Sequence, residues 1–190
     1  MLDNTSWTLI ASIAGAIAGF AGATIGAKLN ADKDIRLQRE RLSDERTKIE
    51  VALERENMCA IHRALSKIAF ENSLTMSVIQ SDSELTIAEF RVRYVENCDR
   101  LHAAMATSAV YYPAMTSRLR AIFGEANKFW GYQEIVLRAD YETDRHAAQA
   151  ARNKVFEACE EIDRLVSAVQ GEIEQRSQYL TNRLRLQYLS

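Results

Sequence analysis

WTLIASIAGAIAGFAGATIGA, residues 7–27, is a run of 21 uncharged residues, and it divides the chain into two chemically different parts. Asp3 is the only charged side chain ahead of it, and Lys28 closes it. At ~1.5 Å per residue the run is about 31 Å long as a helix, close to the ~30 Å hydrocarbon core of a bilayer. Trp7 stands where an interfacial aromatic anchor stands, and Lys28 marks the opposite boundary. The competing reading is a cleavable signal peptide. It would need a basic start, whereas this start is acidic, although Ala21 and Ala23 could imitate a cleavage site. The expectation is an uncleaved transmembrane helix over 1–29.

Its side chains sort by size. At ~100° per residue, Gly15, Gly19, Gly22 and Gly26 share one face, extended by Thr8, Ala11 and Ser12. Leu9, Ile10, Ile13, Ile17, Phe20 and Thr24 take the other. Lipid gives helices no hydrophobic reason to associate, so small residues that let backbones approach are the usual association surface. With one span per chain, the simplest partner is a second copy, and closed rings are the default symmetry. A ring could enclose a pore with Thr8 and Ser12 as polar lumen candidates. No carboxylate lies in the span, which excludes a proton-carrying rotor.

Orientation follows from the flanks. Lys28, Lys33, Arg36, Arg39 and Arg41 follow the segment and no Lys or Arg precedes it, so the positive-inside rule places the body in the cytoplasm of a bacterial inner-membrane protein, N-terminus outside. Unpaired Cys59, Cys98 and Cys159, with no CxxC, agree with a reducing compartment. The whole chain of 190 residues has one Pro and seven Gly, too few for a strand-and-turn fold, and its net charge of −2 argues against direct DNA binding.

Residues 30–50 are mostly charged, with Ile35, Leu42 and Ile49 recurring every seven residues, as expected of an exposed helical stalk with one thin apolar seam. From Val51 the apolar pattern thickens. Met58, Ile61, Leu65, Ile68 and Ala69 mark a first body helix running to about residue 80. Ser81 with Glu84 resembles a capping box for the next helix, whose expected buried side is Leu85, Ala88, Val92, Val95, Leu101 and Met105. Pro113 suits the first turn of a third helix, with Met115, Leu119, Ile122, Phe123, Ala126, Phe129, Trp130 and Val136 inward and Gly124 and Gly131 allowing close packing. After a turn over 140–144, Ala147, Ala151, Val155, Ala158, Ile162, Leu165, Val169 and Ile173 define a long final helix. Arg176, Arg183 and Arg185 near its end suit either the helix dipole or an anionic leaflet. The fold expected is all-α: a transmembrane helix (1–29), a stalk (30–50) and a four-helix up-down bundle (51–190).

Two constellations invite chemistry. Cys59/His62 and Cys98/His102 each share a helix face, and a zinc site between them is conceivable, but buried Cys more often acts as a small apolar residue. Arg55 and His62, with six residues between, match the Arg-x(4–6)-His spacing of HEPN ribonucleases, in which such a pair positions a phosphate and a general acid or base. There is no P-loop, no Rossmann glycine pattern, no Gly-x-Ser-x-Gly and no HExxH. The expectation is a protein without an enzymatic activity, a cofactor or a metal.

Span, stalk, helical body and the Arg55/His62 pair together resemble the small membrane accessory protein of type VI-B CRISPR systems. More broadly, the layout is similar to short membrane proteins with a HEPN-like body in phage-defence loci. The resemblance is one of architecture over the whole chain. It implies a cyclic pore that impairs the inner membrane when an RNA-guided nuclease partner is engaged. The functions expected are a homo-oligomeric pore or channel-like effector gated by its helical body, a membrane-tethered scaffold for a cytoplasmic protein, or a membrane-bound ribonuclease.

Overall fold

The computed structural model describes the backbone of residues 4–83, 85–140 and 143–189, and the side chains of 27–28, 30–83, 85–140 and 143–185. The fold is all-helical, with five helices and no strand among the described residues: α1 (Asn4–Glu71), α2 (Leu74–Asp82), α3 (Ile87–Tyr111), α4 (Pro113–Arg138) and α5 (Arg145–Leu189). The chain divides into two compact units, Met1–Glu50 and Val51–Ser190. Residues 4–50 of the first belong to α1. The expected membrane span over 7–27, with its glycine face, falls outside the described side chains. Among the described residues no helix is long and apolar enough to cross a membrane.

The second unit is a helical bundle. Residues 51–71 of α1 run antiparallel to α5, since Glu54 meets Arg176, Arg55 meets Thr181 and Ser66 meets Gln170. Helices α3 and α4 are antiparallel by the same logic, through Arg91–Glu134, Tyr94–Asn127 and Ser108–Thr116. One core joins them. Leu65, Ile68, Leu119, Ile122, Phe129, Val155 and Val169 are each at 0% exposure within it. These positions repeat at three and four residues, the spacing that turns one helix face inward.

Several expectations need correction. The first body helix does not reach residue 80. It stops at Glu71, because the Asn72 side chain bonds the Ile68 carbonyl at 2.7 Å and Ser73 caps a new short helix by accepting the Met76 N–H at 3.2 Å. Asn and Ser offer the backbone an alternative to helix continuation, and neither is a Pro or Gly. The capping box also lies elsewhere. Ser81 is inside α2, bonded to the Ser77 carbonyl, whereas Thr86 and Glu89 satisfy each other's backbone N–H at the start of α3, at 2.9 and 3.2 Å.

The inward face of α3 is rotated. Phe90, Asn97, Leu101, Ala104 and Ser108 are buried, while Val92 and Val95 are 60% and 55% exposed and Ala88 is exposed. The apolar pattern misled because the true face carries two polar residues that find partners or stay enclosed. Gly124 and Gly131 permit no close approach, since an added Cβ would meet nothing within 4 Å at either. On α5 the register holds, except that Ala148 is buried instead of Ala147 and Val166 lies deeper than Leu165.

The α3–α4 joint is a single residue. Tyr112 ends one helix and precedes Pro113 of the next. Its phenol donates to the Glu54 carbonyl at 2.8 Å, tying α1 to the same corner. Burial, with the Glu54 carboxylate adding to it, pushes that phenol up to about 12.

Candidate functional site

Arg55 and His62 both lie on α1, two helical turns apart. The Arg55 guanidinium donates to Thr181 Oγ1 at 2.7 Å, and its Nε has no partner among the described residues. His62 sits beside Ser66, whose hydroxyl donates to the His62 carbonyl at 3.0 Å and accepts from Gln170 at 2.9 Å. Seven residues of helix separate the pair by about 10 Å. Within one chain they do not converge on a common point: Arg55 ties α1 to α5, whereas His62 meets Ser66 of its own helix. Arg176, expected to complement a helix end or a leaflet, is engaged with Glu54 at 2.7 Å and lies over the Tyr179 ring.

The two histidines have different neighbours. His62 Nδ1 lies 3.5 Å from the Ser66 hydroxyl of its own helix, whereas the His102 ring packs on Phe123 of α4, centroids 4.9 Å apart. Among the described residues no three His, Cys, Asp or Glu side chains are grouped to hold a metal ion. The three thiols lie at different depths: Cys59 is exposed, Cys98 half-buried and Cys159 buried. Desolvation pushes the Cys159 thiol up to about 11, so it stays protonated and inert in the folded chain.

A concavity lies at the far end of the bundle from Tyr112. It is a cleft of about 610 Å³ between the end of α1 and the first half of α3, within the ~300–1,000 Å³ of ordinary ligand sites. Lys67, Phe70 and Glu71 line one wall; Val92, Asn97 and Arg100 line the other. Its charges are largely closed on one another. Lys67 pairs with Glu71 at 2.6 Å and Arg100 with Glu96 at 3.0 Å. Glu89 is held below the usual carboxylate range by its hydrogen bonds to Thr86 and, less strongly, by Arg93.

Two polar atoms in these walls are left over. Asn97 is 2% exposed; its Oδ1 accepts from Arg100, but its Nδ2 has no partner. Glu71 is 8% exposed; its Oε1 meets Lys67, and its Oε2 has none. Buried polar groups without a partner cost free energy. Nearby, Asn72 Oδ1 and both amide atoms of Gln80 are also unpaired. Sequence reasoning missed this site because it treated Val92 as core and had no break at 72–73. Its one legible signal was Asn97, a polar residue spaced like the buried positions of its helix.

A smaller niche of about 190 Å³ lies between α3 and α4, lined by Phe90, Tyr94 and Trp130. Arg91 closes it with two bonds to Glu134, and those bonds, with Arg138, hold the Glu134 carboxyl below its ordinary range.

No protein-family model matches the chain, and no curated protein and no solved structure matches it either.

Proposed function

We propose that the chain is a single-pass bacterial inner-membrane protein that assembles side by side with copies of itself. The proposed output is a pore or channel-like effector governed by the cytoplasmic helical body, in the manner of the phage-defence proteins it resembles in layout. Residues 7–27 supply the span, and Gly15, Gly19, Gly22 and Gly26 supply the close-approach face. The observation that carries the reading is the uncovered seam of the stalk. Ile35, Leu42 and Ile49 are 48%, 56% and 66% exposed, at seven-residue spacing on a helix whose residues 30–50 include none that is buried. Apolar side chains repeated along one line of an otherwise charged helix gain most from a neighbouring helix of the same kind.

Two measurements test it. Leu42→Cys should cross-link between copies under oxidising conditions in bilayer nanodiscs. Gly19→Leu with Gly22→Leu should reduce particle size and abolish ion flux from vesicles carrying the purified chain. Flux-free vesicles, with unchanged particle size in the glycine variant, would overturn the reading and leave a tethered scaffold. RNA cleavage lost in Arg55→Ala and in His62→Ala would point instead to a ribonuclease.

A further inference from the structure

We infer that the cleft between α1 and α3 is a docking site for a short, uncharged, extended peptide segment of a partner protein. Its chemistry is specific in three respects.

The leftover atoms are one donor and one acceptor. Asn97 Nδ2, on a residue 2% exposed, offers an N–H, and Glu71 Oε2, on a side chain 11% exposed, offers a lone pair. A peptide group carries the matching pair, a carbonyl to accept and an N–H to donate, and extended backbone leaves both free.

The rim is apolar and exposed. Phe70 is 55% and Val92 60% exposed, one on each wall, placed to take the side chains that alternate along an extended strand. Exposed large apolar groups around a concavity mark interaction surfaces more often than chance.

The charge is balanced. The wall cations Lys67, Arg93 and Arg100 are matched by three carboxylates: Lys67 pairs with Glu71, Arg100 with Glu96, and Arg93 interacts with Glu89 through its charge. A phosphate or nucleic-acid strand would find no cluster of free cations, and a strongly charged peptide would have to break those pairs. The complementary occupant is therefore neutral. The α3 wall from Glu89 to Arg100 is about 16 Å long, room for about five extended residues.

The site does not depend on the membrane-assembly proposal, because its test reads peptide binding whatever the flux. The probe is a displayed library of random peptides of about seven residues, selected on the full chain in nanodiscs and then measured by fluorescence anisotropy. Uncharged sequences with apolar residues at alternate positions should be enriched. Their affinity should fall roughly tenfold in Phe70→Ala and in Asn97→Leu. Phe70→Ala should melt at the wild-type temperature, because the ring is exposed, which separates lost docking from lost folding. Three results would overturn the proposal: enrichment of strongly charged peptides, full affinity in Phe70→Ala, or no enrichment at all. A single-stranded RNA that binds the wild type and is released by Phe70→Ala would overturn it in favour of nucleic acid. A particle that shrinks in Phe70→Ala would overturn it in favour of a second copy.

Discussion

The α4–α5 side of the body and its α1–α2–α3 end are built from the same helix-forming residues and reach opposite outcomes. Along α4 and α5 the inward positions are Leu119, Ile122, Phe129, Ile162, Val166 and Val169, all at 0–1% exposure. At the other end, Glu71, Asn72, Gln80 and Asn97 are buried with atoms unpaired, while Phe70, Val78, Ile79 and Val92 stand in solvent. Polar groups inside and apolar groups outside invert the ordinary preference. One side holds the fold together; the other gives up stability where a partner would restore it.

The largest effect should come from the dry side. Phe129→Ala removes a fully buried ring and should cost ~3–5 kcal/mol in urea unfolding of the full chain. Gln133→Ala tests the link between the two regions. Its amide, at 0% exposure, receives the Ser77 hydroxyl at 2.7 Å and donates to the Ser77 carbonyl at 3.0 Å, fixing α2 to α4. Loss of about 1–3 kcal/mol is expected, with proteolysis appearing near residues 72–86. A wild-type proteolysis pattern would remove the contrast between the regions.

Gln80→Leu sharpens it from the other direction. An amide with both atoms unpaired at 1% exposure should be replaced by an apolar group of similar size with a gain of about 1–2 kcal/mol. A loss instead would mean that this end is as well satisfied as the other. Gly131→Ala should stabilise by ~1 kcal/mol, because its Cβ enters open space on a mid-helix position.

The smallest effect is at Tyr112. Its phenol titrates near 12 when folded and near 10 when unfolded, so the folded state favours the neutral form. That contribution is complete below pH ~10 and is lost as the pH rises toward about 12. Tyr112→Phe should therefore flatten the alkaline slope of the melting temperature while lowering its neutral-pH value slightly.

Much of this contrast was hidden in the sequence for a physical reason. The dry side was legible: Leu119, Ile122, Phe129 and Trp130 repeat at helical spacing, Pro113 opens α4, and Ala151, Val155, Ala158 and Ile162 trace α5 without interruption. The open end was not. A break made by Asn72 and Ser73 leaves no Pro or Gly to read, and the buried face of α3 includes Asn97 and Ser108 while Val92 and Val95 face outward. Periodicity reports where apolar residues recur, so it finds cores and overlooks surfaces where apolar residues serve something outside the chain.

Tyr112 has one more consequence. It fastens α1, α3 and α4 at one corner, and the cleft lies at the opposite end of α1 and α3. The gape at Phe70 and Val92 is set by other ties, Ser66 to Gln170 on one side and Arg91 to Glu134 on the other, so each wall of the cleft is anchored to a different member of the α4–α5 pair.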